Sequence, residues 1–494
     1  MLSVIPPAGP KTRVLLVHAP YPGRLKFEAL PSSLLHAFAP FAESLAKEGR
    51  EEDLGYLDPI APSVSFTTAL TSVLLNGQIR AVCISSSTAA IEETATIVSR
   101  VRTVAGDDVL VLVGGPHEDA SEKKSAEELD GVDLSIAGDA EYLLDCLLGD
   151  FLERDERPAD FCRALAERLR SLPVRCGQVE VTSRFWDKPR RRSFDWGRMT
   201  SVDLHPPAWI ERPVHFDVFD AERTLPLLVS RGCSWGRCTF CSEPLLSGGQ
   251  MTFGDFDWVK ELAAAHAGSA LYFQDSIFPM TSSVRARLLP MLRTLGVEWG
   301  CQVFLPTLSR ETLRSLAESG CRYVYTGLES TSSAVLAAVG KPNLNAALAK
   351  ERLGWTREFG MKIGLSLMFG TIADSGEVLE TSRSIDETVA FSESLITDGV
   401  KVVGFYPNVE TVYPGTTLAR SLERGGMPLD FYRVPTFEAF ADLEDGGVGH
   451  NFATLPTKID SLRRARLVEE IRAASLHLQG LHAAKGRAME SPST

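Results

Sequence analysis

No run of about 18 consecutive apolar residues, the length needed to cross a bilayer, occurs in this chain, so nothing in it is expected to span a membrane. The first 13 residues contain prolines but no apolar core of a signal peptide. A basic surplus is missing too. Lys and Arg number 51 against 64 Asp and Glu, and the formal net charge of −13 argues against a nucleic-acid-binding face. The one dense basic run, Lys188-Pro189-Arg190-Arg191-Arg192, reads as solvated surface, with docking of an acidic partner as the alternative. A disulfide framework is also absent: the nine cysteines are odd in number and mostly scattered. Cys83, Cys146, Cys162, Cys176, Cys301 and Cys321 read as buried or incidental thiols. From these absences a cytoplasmic chain is expected. No repeat and no low-complexity tract is found.

What is there is enough for at least two domains: 494 residues, of which 44% are hydrophobic and 23% charged. The chain is organised around Arg231-Gly232-Cys233-Ser234-Trp235-Gly236-Arg237-Cys238-Thr239-Phe240-Cys241, where three cysteines fall within nine residues, spaced C-x4-C-x2-C. They follow a short apolar run, 225–229, that reads as a buried strand. No further cysteine occurs before Cys301. Three close thiolates on a loop beyond a strand suggest an iron–sulfur cluster with one iron left free of cysteine. Two other readings stay open. A ferredoxin-like carrier would need Cys301 as the fourth ligand, 60 residues on. A structural zinc site would need Cys301 or His117.

Residues 1–150 alternate short apolar runs with helical stretches, which predicts an α/β domain with a doubly wound parallel sheet, Rossmann-like in layout. Strands are expected at 14–17, 53–58, 79–85, 109–113 and 132–137. Such sheets bind ligands beyond the carboxyl ends of their strands. Those ends carry Pro20-Tyr21, Ser86 to Thr88, and Gly114-Gly115-Pro116-His117, small or turn-forming groups that let a large ligand approach the backbone. Residues 151–224 read as a connector bridging two domains. Residues 225–440 hold six apolar runs with helical stretches between them, a partial (β/α)6 barrel with its chemistry at the carboxyl ends of the strands. Helical spacing at 285–295 has Pro290 as an expected kink, and Ser309 is a plausible cap for 309–319. Residues 441–494 read as a helical C-terminal segment capping the barrel or serving as a lid, with a loop at 442–449.

The central domain resembles the radical S-adenosyl-L-methionine (SAM) superfamily, and the N-terminal layout resembles the cobalamin-binding domain that precedes many of its members. The barrel resemblance rests on Ser230-Arg231-Gly232-Cys233, on Phe240 between the second and third cysteines, on Gln274-Asp275-Ser276, on Gly327-Leu328-Glu329-Ser330 followed by Lys341, on 364–370, and on Tyr413-Pro414-Gly415-Thr416. The N-terminal one rests on Ala19-Pro20, Val113-Gly114-Gly115-Pro116-His117 and Gly138-Asp139-Ala140-Glu141. Two departures stand out. The superfamily's usual first gap is three residues, and this chain has four, Ser234 to Arg237. The D-x-H-x-x-G motif that supplies a histidine to cobalt in one group of cobalamin proteins is absent, with His18-Ala19-Pro20-Tyr21-Pro22-Gly23 after the first strand.

The resemblance implies a 4Fe-4S cluster on Cys233, Cys238 and Cys241. It also implies SAM near Phe240, Asp275, Glu329, Ser366 and Met368. Cobalamin would lie against Pro20, Tyr21, Ser86, Thr88, Gly114, Gly115 and His117, without a histidine from that motif. It implies a cobalamin-dependent methyltransferase acting on an unactivated centre of a small-molecule or peptide-derived metabolite, supplied by an external low-potential electron donor. Radical SAM chemistry without cobalamin is the runner-up, and a non-catalytic iron–sulfur electron carrier the reading from another class.

Overall fold

The computed structural model describes residues 4–19, 36–57, 65–87, 90–121, 123–138, 140–154, 156–169, 178–193, 209–210, 218–221, 223–249, 251–254, 256–427, 429 and 461–489. The expected cobalamin contacts Pro20, Tyr21 and Thr88 lie outside these residues, as do Asp139 and the segment 442–449. The chain divides into two compact units, one reaching from the N-terminus to residue 213 and including 252–261, the other made mainly of 214–251 and 262–494.

The first unit is built on β1 (Val14–His18), β2 (Leu54–Leu57), β3 (Ala81–Ser85), β4 (Leu110–Gly114) and β5 (Leu134–Gly138), which pair in parallel in the order β2-β1-β3-β4-β5. Each strand is an apolar run because both sheet faces are covered. Side chains alternate between the faces. Val14 and Leu16 join one core with Phe41, Leu144 and Phe151. Leu15 and Val17 join the opposite core with Leu70, Ile97 and Val98. The strand order reverses between β1 and β3, which puts the ligand crevice of such a sheet at their carboxyl ends.

Of the expected connector, 151–224, the described segments 156–169 and 178–193 belong to the first unit. The helix Pro158–Arg168 buries Phe161, Cys162 and Leu165 in the first core. Two antiparallel strands, β6 (Gln178–Ser183) and β7 (Arg190–Ser193), extend the sheet beyond β5. They escaped the sequence reading because β6 only alternates polar and apolar residues and β7, Arg190–Ser193, is wholly polar, so neither carries a continuous apolar run. The basic run 188–192 thereby lies partly in the outermost strand, where charge discourages pairing with another chain.

The second unit carries β8 (Thr224–Leu227), β9 (Ala270–Phe273), β10 (Trp299–Gln302), β11 (Cys321–Glu329), β12 (Lys362–Phe369) and β13 (Val402–Val409), all parallel and in sequential order. The six expected strands are present, with β11 and β13 longer than the apolar runs indicated. Helix starts follow from their caps. Ser309 accepts from the Thr312 amide at 3.1 Å, Asn345 from Leu348 at 2.9 Å, and Thr381 from Ser384 at 3.1 Å. Pro290 lies inside a continuous helix, 282–295, directly after a π-helical turn at Val284–Leu288, an irregularity of the kind that accommodates a proline's missing amide. The C-terminal helix Ser461–Met489 packs on the helix Ser382–Thr397 and on β13.

Candidate functional site

The cysteine loop leaves the carboxyl end of β8 and is fixed at several points. At its start, the Asp275 carboxylate accepts from the amides of Val229 (3.2 Å) and Ser230 (2.6 Å) and from the Ser230 hydroxyl (2.5 Å). Asp275 is completely buried, and that burial pushes its carboxyl up to about 7 despite these donors. The structure therefore gives Asp275 to the loop's own backbone, whereas the resemblance gives it to the SAM amino group. The Gly232 amide donates to Glu243 at 3.1 Å, with Gly232 at φ +94°. Farther along, the Trp235 indole donates to the Gly340 carbonyl at 3.0 Å, and its ring lies 4.9 Å from that of Phe304. The Arg237 guanidinium lies over the Trp235 ring, 5.3 Å from its centroid. Thr239 donates to Val339 and Ala338, and its carbonyl accepts from Leu418 at 2.9 Å. The additional residue in the first gap thus belongs to a segment in which Trp235 pins the loop to the turn after the helix Ser333–Ala338.

Cys233, Cys238 and Cys241 are half-buried and reduced. Burial raises the Cys238 thiol to about 12, with Lys341 opposing it, and the Cys241 thiol to about 11. Each of these two also feels the charge of Cys233, so the three share one neighbourhood. Amides of Gly236 and Glu243 point at the sulfurs of Cys233 and Cys241, both at 3.4 Å. Such N–H donors stabilise thiolates bound to an iron–sulfur cluster. Among the described residues, no group of three or more His, Cys, Asp or Glu is arranged to hold a single metal ion. Cys301, the fourth ligand of both rival readings, is fully buried in β10 and hydrogen-bonded to Cys321. His117 belongs to the first unit and is buried there. Among the described residues the cysteine loop itself carries three thiols and no fourth.

Glu329 ends β11. A bulge between Gly327 and Glu329 re-aims its side chain, and Glu329 is the one non-glycine residue with positive φ (68°) among the described residues. A conformation of this kind costs on the order of 1–3 kcal/mol and clusters at functional sites. Lys341 holds it: Nζ lies 2.7 Å from Glu329 Oε1 and 2.8 Å from the Gly327 carbonyl, both side chains being buried. A side chain at Gly327 would collide with the Glu329 carboxylate. On β12, Ser366 accepts from Asn408 of β13 at 3.0 Å and hydrogen-bonds the Tyr325 hydroxyl. Met368 packs with Val335, Val339 and Phe240, so the aromatic residue of the cysteine loop and the end of β12 share one apolar cluster. Glu329 and Met368 thus lie toward the carboxyl ends of β11 and β12, Phe240 on the loop packs against Met368, and Ser366 lies midway along β12, while Asp275 serves the backbone at the start of the loop. Sequence reading did not single out Asn408 or Trp235; Lys341 was legible only by the resemblance.

In the first unit the expected contacts divide. Ser86 is fully buried, with its hydroxyl 2.8 Å from that of Thr94. Gly115 (φ +102°) makes room for Ser86 itself: a Cβ there would meet the Ser86 carbonyl at 2.8 Å. His117, read from sequence as a loop residue, is fully buried on the short helix Pro116–Ala120, its ring 3.9 Å from Glu128. Burial lowers it to about 4. Gly114 and Gly115 are half-exposed at the strand end. Two groups stand where the strand order reverses. His18 Nδ1 ends β1, Ser87 Oγ follows β3, and both are buried with no protein partner. Burial holds His18 near 4, hence neutral at ordinary pH. These orphaned polar atoms suit a ligand at the switch point, and their signal in the sequence was only their place after two apolar runs.

No protein-family model matches the chain. An uncharacterized methyltransferase of Pyrococcus horikoshii is 23% identical over 386 residues, 76% of each chain. The bacteriochlorophyllide d C-8(2)-methyltransferase of Chlorobaculum tepidum is 26% identical over 224 residues, 42% of this chain and 46% of that one. Among solved structures, the radical SAM methyltransferase TsrM of Kitasatospora setae, with cobalamin and a 4Fe-4S cluster bound, superposes with a TM-score of 0.58 at 17% identity over 83% of this chain and 77% of that one. OxsB, a cobalamin-dependent SAM radical enzyme, gives 0.51 at 14% identity over 84% of this chain and 61% of that one. The chain thus has the fold of cobalamin-dependent radical SAM enzymes.

Proposed function

We propose that this chain is a cobalamin-dependent radical SAM methyltransferase. The observation that carries the reading is the three-thiol loop at the carboxyl ends of an all-parallel six-stranded barrel, fixed beside a strained Glu329–Lys341 pair. The fold supports it, and so do the methyltransferase names of the relatives. When bound, the cluster supplies one low-potential electron to cleave SAM, and cobalamin carries the methyl group.

The residues divide that work. Cys233, Cys238 and Cys241 hold three irons and leave the fourth open. Glu329, locked by Lys341, presents its remaining carboxylate oxygen to the polar groups of SAM. Asn408, Ser366 and Tyr325 form a polar strip for the nucleoside. Phe240 and Met368 form its apolar wall and keep water off the sulfonium. In the first unit Gly114 and Gly115, with His18 and Ser87 at the switch point, receive the corrin. The substrate is a small molecule or a peptide-derived metabolite; TsrM binds tryptophan.

Anaerobic purification with added hydroxocobalamin tests the cobalamin half. A bound corrin spectrum is expected, and its absence with SAM cleavage intact would favour radical chemistry without cobalamin. Cys238→Ala should abolish formation of 5′-deoxyadenosine under reductant. Retained cleavage would refute the cluster assignment.

A further inference from the structure

We propose that Glu380 and Glu410, with the hydroxyl of Thr371, form a site for a hard divalent cation such as Mg2+ or Ca2+ where the chain leaves β12 and β13. Nothing in the cluster or SAM reading uses these residues. After β12 the chain folds back on itself: Ile372 bridges Val378, and the Leu379 amide donates to the Thr371 carbonyl at 3.0 Å. Three consecutive amides are thereby turned toward two carboxylates. Those of Gly370 and Thr371 donate to Glu380, and that of Ile372 donates to Glu410 Oε2 at 2.6 Å. Glu380 Oε1 also accepts from the Ser384 hydroxyl at 2.6 Å. The Glu410 amide donates to Phe369 at 2.9 Å, which ties the end of β13 to that of β12.

All three side chains are buried: Thr371 is 0% exposed, Glu380 and Glu410 1% each. Yet Glu380 Oε2, Glu410 Oε1 and Thr371 Oγ1 have no protein partner. Thr371 stands between the two carboxylates along the backbone, since its own amide serves one and the next amide serves the other. An unpaired buried carboxylate is costly, and two that repel each other are costlier. Burial raises both, Glu410 to about 8, with Glu380 and then Glu329 adding to it. Lys341, the cation that holds Glu329, is already engaged by Glu329 and Gly327. The two carboxyl groups share one neighbourhood, and raised in this way they keep their protons to higher pH for want of a counter-charge; a 2+ ion that displaces those protons balances both. Three oxygen donors and no sulfur or imidazole select a hard ion.

The test is thermal melting of the full-length, cluster-reconstituted protein in metal-stripped buffer, with MgCl2 or CaCl2 added against KCl at matched ionic strength. One of the divalent salts is expected to raise the midpoint by a few degrees, as a ligand of the folded state does. Glu410→Gln should lose that rise. No divalent response, an equal response to KCl, or an undiminished response in the variant would overturn the site. Should Glu410→Gln fail to fold, Thr371→Val, which keeps both charges and the volume, carries the same comparison. A weakened response supports the site, and an unchanged one contradicts it. The hard ions used do not compete for the cysteine thiolates, so this result is independent of the cluster assignment.

Discussion

Glu329 shows what a single residue can reveal and conceal. Its place after Gly327-Leu328 was legible by resemblance, but its positive φ and its buried lysine partner are products of the bulge at the end of β11. Removing one member of a buried pair strands the other charge, at a cost of about 3–5 kcal/mol, whereas removing both does much less. Glu329→Gln is therefore expected to lower both stability and SAM affinity. Glu329→Gln with Lys341→Met should recover most of the stability and none of the affinity, as read by chemical denaturation and by SAM titration. Recovery of both would make the pair purely structural. Asp275 teaches the opposite lesson. Its sequence position suggested a ligand contact, and its burial and three donors reveal a brace that only tertiary proximity could disclose. The histidines carry a pH prediction. His18 and His117 both fall to about 4 from an ordinary 6.5. The unfolded chain binds more protons between those values, so stability is whole above 6.5 and is lost as pH falls toward 4, by a few kcal/mol at most per group. Melting midpoints should drop across that interval, and less so in His18→Asn; an identical drop would remove His18 from the account.

At the scale of elements, the cysteine loop and the turn after the helix Ser333–Ala338 act as one piece. Gly340 makes the contact: it has φ +81°, its carbonyl takes the Trp235 indole, and a Cβ would collide with the Arg237 carbonyl. Gly340→Ala should therefore displace the loop, reducing iron retained after anaerobic reconstitution several-fold, while a strain-free change elsewhere on the same helix leaves it intact. Undiminished iron would mean the loop is held by its other contacts. The central strands were legible because burial on both faces demands unbroken apolar runs. The hairpin of β6 and β7 was not, since β6 only alternates apolar with polar residues, β7 is wholly polar, and its basic run mimicked a linker. The caps at Ser309 and Thr416 are local chemistry, and of these only Ser309 was singled out beforehand.

Across the whole molecule, two sheets of different design each offer the carboxyl ends of parallel strands. One reverses its strand order and leaves orphaned polar atoms at the reversal; the other runs its strands in sequence and ends the first in three thiols. Periodicity made both sheets readable. It could not show that Ser86 and His117 turn inward, or that Asp275 braces the start of a loop 45 residues away, because burial and bracing depend on how the folded segments meet. The central claim is that the three cysteines hold a cluster with one iron open to SAM. Its most direct test is the EPR spectrum of the anaerobically reconstituted, reduced protein, alone and with SAM. The account predicts about four irons per chain and a 4Fe-4S signal that SAM alters. A two-iron spectrum indifferent to SAM would contradict it.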